Sequence, residues 1–480
     1  MTPLINATSG YNLGQAQKIM EMQQAMALSQ LGTLGQMPGP GQIGVQSLED
    51  DFYLLTFGNR EYKFMNDVHT VAAANWIHQY NTLNNYGSNV PAAVGAAALP
   101  PVNNSFFQRG WVEIKFFLDL RQIPQQLLEI ESAVGPLPAE QARDSLMSLT
   151  GKVANGLYYG NSAINQYEFD GLYTQMVNST YATTNIKDAR NQPLSPTLVE
   201  DSVMIVRSNF ADMANIKLYG SPSAIVPFTL NYLTNERAIP AFWNGLAGNP
   251  FAGWDAQFAE TLFRDDRFSE NTFLMNGGGK PKQTQSYVAQ GAPPNPTAAM
   301  TFTINAADST SQFNTQTPGG TFSYCYAWLG PWGETLASPI STTTVANGDT
   351  VTLAIPINTN PTPGGVRIYR GAGPTTDYNN LNFMVDVPVG TAVGTLDYKD
   401  ANGDIPGTYK VFILNLNKAA LHVARLGDVK RFEFAPVNMA YWFATAWYGA
   451  LVVPNPAWHV VIKNVAGQEL PSTFVSPFYT

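Results

Sequence analysis

One helical stripe, followed at once by a glycine-rich turn, constrains this chain more than any other feature. Pro138 and Glu140 open the helix in its first turn. Ala142, Leu146, Leu149, Val153 and Leu157 follow at steps of four, three, four and four. That spacing puts one continuous apolar face on a rod of about 30 Å, at ~1.5 Å per residue. Gly156 and Gly160 are expected to end it, and "GNSAINQYEFDGL" turns the chain back through Phe169, Gly171 and Leu172. Glu168 and Asp170 raise the question of acid–base chemistry, but carboxylates in a tyrosine-rich, half-buried turn are better read as turn residues.

The remainder of the 480 residues divides by texture, and the length itself implies two or three domains. Residues 1–50 read as an arm: a Gln- and Met-rich segment carries Ala16, Ile19, Met22 and Met26 on one helical face, and "GQMPGPGQIG" stops it. From Asp51 to about Val112, "DFYLLTF" and "GWVEIKFFLDL" are strand-like and flank a long polar, small-residue middle. That pattern predicts an extended two-stranded excursion with a mobile tip. A second helix is expected over Leu198–Phe210, on Val199, Val203, Val206 and Phe210, with "IKLYG" and "SAIVPF" behind it as strands.

Texture changes at "NGGGKPKQTQ", after which helical periodicity disappears for about 125 residues and turn residues recur at β-sandwich spacing. Phe322, Tyr324, Tyr326 and Trp328 alternate with Ser323, Cys325 and Ala327, and Val351, Leu353 and Ile355 alternate likewise. This predicts a separate all-β domain. Helical text is expected to return in "LNLNKAALHVARLGDV", before strands rich in aromatic residues. The longest apolar run, Met439–Val453, is about five residues short of the ~20 that a spanning helix needs and suits buried strands better, so no membrane segment is expected.

Composition narrows the function. Charged residues are 13 % of the chain, about half the usual ~25 %, and charge-poor surfaces suit burial against neighbours. A net charge of −9 offers no global basic field for a phosphate backbone, so nucleic acid is not the main ligand. The single Cys325, inside an alternating strand, reads as a buried structural thiol. The N-terminus lacks the basic start and apolar core of a signal peptide.

Catalytic constellations are missing from the pattern. "GGGKPKQ" lacks phosphate-loop spacing and reads as a linker. His69, His78, His422 and His459 have no metal-ligand spacing. The carboxylate pairs Glu200/Asp201, Asp265/Asp266 and Glu168/Asp170 are better explained as surface and turn charges than as the paired acids of a glycosidase. A weak candidate calcium loop gathers Asp397, Asp400, Asn402 and Asp404 around Gly403 but lacks a bidentate glutamate. The reading is no enzyme, no cofactor and no assigned metal.

The order of these parts, with "GLYYGN…EFDGL", "LVEDSVMIVRSNFADMANIKLYGSPSAIVPF" and "VNMAYWFATAWYGALVVPNPAWHVVIKNV", resembles the major capsid proteins of tailed bacteriophages with the Hong Kong 97-type fold. The resemblance covers most of residues 45–280 and 410–465. It implies an α+β fold: an N-terminal arm (1–50), an extended loop (51–115), a peripheral domain with the spine helix (116–185), and an axial domain (186–283). Residues 284–408 depart from that pattern and resemble an immunoglobulin-like or fibronectin type III-like insertion, most similar at "VRIYRG". The axial domain is then expected to return at 409–435, and 436–480 to supply peripheral strands. By the same resemblance Leu146, Leu149, Val153, Leu157, Gly160, Phe169, Gly171 and Leu172 are structural and assembly residues.

The implied function is a shell of pentamers and hexamers around double-stranded DNA held without sequence specificity. Portal and scaffolding or cement proteins are the implied partners, and the virion is the place. Lys63 lies near the region from which some relatives cross-link, but no partner Asn is identifiable. The alternatives are an encapsulin-like bacterial compartment, whose chains are usually much shorter, and a surface carbohydrate-binding protein. The latter is motivated by the sandwich and by Trp243, Trp254, Trp328 and Trp332.

Overall fold

The computed structural model describes residues 62–87, 102–129, 137–209, 211, 215–228, 263–275, 278–285, 289 and 291–467. The arm helix over 15–31, "DFYLLTF", the tip of the excursion, Phe210, Trp243 and Trp254 lie outside them.

Three bodies of sheet organise the described chain. The first is built round β19 (Ala440–Val452), the aromatic-rich run. One edge pairs with β4 (Lys115–Pro124), the other with β17 (His422–Arg425) and β18 (Lys430–Val437); β1 (Thr70–Ala72) adds in parallel to β17. On this sheet lies the long helix α3 (Leu137–Tyr159), which follows the short helices α1 (Lys63–Asp67) and α2 (Gln125–Glu129).

The expected stripe holds in its C-terminal half, where Leu149, Val153 and Leu157 are buried. At the N-terminal end it is displaced: Leu146 is 38 % exposed, and the face is carried by Ser145, whose hydroxyl meets Thr445 of β19 at 2.9 Å. Gly156 does not end α3, which continues to Tyr159. Gly160 is the stop, its N–H donating to the Gly156 carbonyl at 2.8 Å.

The second sheet has the order β5–β20–β16–β6–β7, with β5 (Ile186–Pro193), β6 (Ile216–Gly220), β7 (Phe263–Asp265), β16 (Tyr409–Asn415) and β20 (His459–Ala466). It is buried on both faces, so successive residues serve different cores. Val411, Ile413, Val460 and Ile462 meet Val199, Val203 and Val206 of a helix at Pro196–Ser208. Phe412, Leu414 and Val461 face α3, Trp447 and Leu451. The Pro196–Ser208 helix starts two residues before the expected Leu198, with the Ser195 hydroxyl accepting the Leu198 N–H and Pro196 at the first position.

Three expectations are corrected here. "SAIVPF" is helical: Ser221 precedes Pro222, and the Ala224 and Ile225 N–H groups donate to the Ser221 carbonyl. "LNLNKAALHVARLGDV" is not helical. Asn415 and Asn417 accept N–H groups two residues on and turn the chain between β16 and β17, whose sheet pairing overrides the local pattern. Nor do the sheets divide at residue 435/436: β17 and β18 join the α3 sheet, whereas β20 pairs with β16 and β5.

The third body is all-β. Strands β9 (Gly320–Gly330), β10 (Gly333–Glu334), β11 (Ser341–Val345), β13 (Gly365–Ala372) and β14 (Asn382–Pro388) form one sheet. Strands β8 (Thr301–Asn305), β12 (Thr350–Pro356) and β15 (Thr395–Asp400) form another. The two share one core: Tyr324, Tyr326, Trp328, Val366 and Ile368 from the first meet Val351, Leu353 and Ile355 from the second. Cys325 and Ala327, on the reverse face of β9, are buried as well, against Tyr369, Leu381 and Phe383. Burial raises the Cys325 thiol pKa above its ordinary range, as a structural cysteine requires.

Candidate assembly surface

The turn after α3 is built by backbone contact. The Gly171 N–H donates to the Gly160 carbonyl at 2.8 Å, and that same carbonyl accepts from the Thr174 hydroxyl at 2.7 Å. A Cβ on Gly171 would stand 2.6 Å from the Gly156 oxygen, 2.6 Å from the Gly160 nitrogen and 2.7 Å from the Tyr159 nitrogen. Phe169 and Leu172, both buried, fill the core below, Phe169 edge-on to Phe117 of β4. The same turn reaches the sandwich. Gly364 lies against the Ile164 carbonyl and Gly365 against its side chain, positions that side chains on the glycines would occupy.

The acids of the turn are structural. Asp170 accepts the Ser162 N–H at 2.8 Å, and Glu168 accepts the Asn165 amide at 3.0 Å, its pKa raised by burial. Of the other pairs, Asp265 binds Lys63. Asp266 is buried under α1, accepting the Phe64 N–H at 3.0 Å, the Tyr158 hydroxyl at 2.9 Å and the Phe268 N–H at 2.9 Å. Burial outweighs these three donors and lifts its pKa to about 6.

The calcium candidates are not brought together. Asp397 is exposed on β15, and Asp400 is buried on the opposite face of that strand. Asp400 and Asn402 both serve Arg370, at 2.6 Å each, and Asp400 also accepts the Tyr324 hydroxyl at 2.9 Å. Asp404 stands 3.6 Å from Lys463. Among the described residues no cluster of three metal-binding side chains occurs. His459 is buried and neutral: its Nδ1 accepts the Asn415 N–H, its Nε2 donates to the Ala420 carbonyl, and burial lowers its pKa to about 4. Trp328 is part of the sandwich core, its indole N–H donating to the Pro356 carbonyl at 3.1 Å.

Sequence pattern alone missed the exposed apolar faces. The expected excursion is present as β2 (Ile77–Asn85) paired antiparallel with β3 (Phe106–Glu113). Its register opposes Gln79 to Trp111 and Leu83 to Phe107, so Ile77, Leu83, Phe107 and Trp111 share one face. All four are exposed, Phe107 at 66 % and Trp111 at 67 %. The other face is closed by Tyr80, whose ring covers Gly110. A second apolar face lies on the α3 sheet, on the side away from the helix. Phe116, Leu118 and Leu120 of β4 and Phe432 and Phe434 of β18 are exposed around a floor of Ala444 and Ala446. The alternation in "KFFLDL" held the signal, since it leaves large apolar groups on both faces of one strand.

No helix among the described residues is long and apolar enough to cross a membrane. No model of a known protein family matches the chain. It is similar to the major capsid proteins of Staphylococcus phages S25-3 and K, at 21 % identity over 439 residues, covering 88 % of this chain and 90 % of each relative. It is also similar to the putative major capsid protein of Enterococcus phage phiEF24C, at 22 %, covering 87 % of this chain and 89 % of that one. Among solved structures it is similar to the capsid of a native GTA particle (TM-score 0.44, 9 % identity, covering 90 % and 100 %). It is similar also to the capsid of Myoviridae phage XM1 (0.43, 7 %, 89 % and 99 %) and to the SrpI encapsulin of Synechococcus elongatus (0.40, 10 %, 90 % and 97 %). With its sequence likeness running through nearly the full length of several phage capsid proteins, the chain is a phage major capsid protein, a structural component of the virion and not an enzyme.

Proposed function

We propose that this chain assembles as pentamers and hexamers into the icosahedral shell of a tailed phage, on a Hong Kong 97-type fold, around double-stranded DNA. The observation that carries the reading is the pair of exposed apolar faces among the described residues of one chain. A two-stranded ribbon is marginal by itself in water. The β2–β3 ribbon nonetheless exposes Ile77, Leu83, Phe107 and Trp111, while the α3 sheet exposes Phe116, Leu118, Leu120, Phe432 and Phe434. Two different patches that complement each other make a head-to-tail contact, and such contacts close into rings when the rotation allows. Laying the ribbon of one copy across the sheet of the next covers both faces, and a surface with 13 % charged residues suits that burial.

In this reading α3 is the spine, the second sheet belongs to the axial domain, and the all-β body is an immunoglobulin-like or fibronectin type III-like decoration. Leu149, Val153, Leu157, Gly160, Phe169, Gly171 and Leu172 hold the spine to its turn. Leu146, half out of the core, is free to meet a neighbour. Portal and scaffolding or cement proteins are its partners in the particle.

The test is the double substitution Phe107→Ala/Trp111→Ala in the full chain, read by electron microscopy and sedimentation. Both residues are exposed, so the unassembled protein should keep its stability within about 0.5 kcal/mol, while shells should be lost. Normal shells from the double variant overturn the ribbon contact. A wild-type protein that stays monomeric under every assembly condition overturns the shell.

A further inference from the structure

A cleft separates the sandwich from the turn and helix that follow α3, and nothing in the shell reading uses it. Two adjoining hollows of about 430 and 160 Å³ share Tyr159, Asp404 and Lys410 among their walls. The larger falls within the ~300–1,000 Å³ of ordinary ligand sites.

Its chemistry is specific. The Lys410 ammonium lies over two rings, 4.9 Å from the centre of Tyr173 and 5.7 Å from that of Tyr159. Among the described residues these rings are its side-chain partners, and the Asp404 carboxylate pairs with Lys463 rather than with it. Burial lowers its pKa, with Lys463 adding to the effect and Asp404 and Asp386 opposing it. An ammonium held this way keeps three donors in hand. Asp404 lines the same cleft, and its ion-pair partner among the described residues, Lys463, stands 3.6 Å away, longer than a direct hydrogen bond. Asn178 adds an amide that both donates and accepts, and Tyr398 a third aromatic wall.

We propose that this cleft binds a neutral carbohydrate, one or two pyranose units, through Lys410, Asp404 and the tyrosine faces. An anion would satisfy Lys410 but meet the Asp404 carboxylate, and a cation would meet the reverse. Hydroxyl groups do both, accepting from the ammonium and donating to the carboxylate, while the C–H faces of a pyranose lie on aromatic rings. The inference does not rest on the shell reading, because every wall belongs to one chain.

The experiment is saturation-transfer NMR on the full-length protein with maltose, lactose and chitobiose as probes, and glycine and glutamate as zwitterionic competitors. At least one disaccharide should receive saturation at its ring protons. Lys410→Met and Tyr173→Ala should each weaken its binding at least tenfold, and the exposed Arg109→Ala on the ribbon should not. Should either variant fail to fold, as judged by circular dichroism, Asp404→Asn is read in its place, with the same tenfold loss expected. Saturation of no sugar, sugar binding untouched by these variants, or a response to the amino acids alone overturns the proposal. Whether shells form is scored separately by microscopy, so the two readings fail independently.

Discussion

Replacing Gly171 with alanine tests the turn at its tightest point. Its φ of −73° is ordinary, so backbone conformation is not at issue. Space is: the new Cβ would sit 2.6–2.7 Å from three main-chain atoms of residues 156, 159 and 160, and main chain inside a helix terminus does not swing aside. Overpacking of this kind costs about 1–3 kcal/mol. Separating the two strands of the turn also lengthens the Gly171 N–H to Gly160 carbonyl bond, worth about 1 kcal/mol. The sum, roughly 2–4 kcal/mol, is a large share of a native stability of about 5–15 kcal/mol.

Gly156 is the internal control. Its Cβ would meet only the tip of Phe169 at 3.7 Å, and Gly to Ala within a helix gains about 0.5–1 kcal/mol. The assay is native-state hydrogen exchange over residues 156–176 of the unassembled protein. Gly171→Ala should exchange about 30- to 700-fold faster, at tenfold per ~1.4 kcal/mol, and Gly156→Ala no faster than wild type. Gly171→Ala protection within threefold of wild type, or equal losses in the two variants, refutes the close-packed turn.

Three further outcomes are expected. Asp266 has a folded pKa of about 6 against an ordinary 3.8, so its contribution to stability is fully present below pH 3.8 and is lost as pH rises through 6. Exchange protection of the Phe64 and Phe268 amides should therefore fall between pH 4 and 7, after correction for intrinsic rates, by up to about 3 kcal/mol, and Asp266→Asn should abolish that slope. Arg370→Leu leaves the buried Asp400 without its cation and should cost the sandwich about 3–5 kcal/mol, measured by its thermal unfolding. Because Asp400 and Asn402 are committed to Arg370, millimolar calcium or its chelation should leave that melting temperature unchanged, and a calcium-dependent rise would reinstate the loop as a site.

Elements whose local pattern and burial agree were legible before any coordinates. Val199, Val203 and Val206 at helical spacing, and Tyr324, Tyr326 and Trp328 in strict alternation, each have one solution. "LNLNKAALHVARLGDV" was not legible, because its apolar spacing fits a helix and only the edges of β1 and β19 make Val423 a strand residue. Leu146 misled for a related reason. The sheet offers Thr445 at that point, a hydroxyl that a serine satisfies better than a leucine. The assembly faces were hidden because periodicity locates apolar residues but does not say whether water or a partner covers them. Asp266 as a buried acceptor for α1 depends on residues about 200 positions away in sequence, a distance no local window spans.

The route of the chain through the second sheet bears on how such a protein changes over time. It leaves that sheet after β7 and re-enters it at β16, with only β6 between them. Two strand spacings, about 10 Å, therefore separate the exit from the re-entry, whatever the intervening residues do. Once past Phe268 and Phe273, which pack into the core under α3, the chain is to this sheet one long connection until β16, and lengthening a loop costs stability only logarithmically. A module with suitably spaced ends that replaced only the part beyond Phe273 would leave every strand of the sheet in place. One contact that fixes the present occupant is a small lock, Gly364 and Gly365 against Ile164. A replacement would need its own version of that lock and of the contact at its far end, where the Gly403 carbonyl accepts from Lys463 at 2.7 Å and from Asn464 at 2.9 Å.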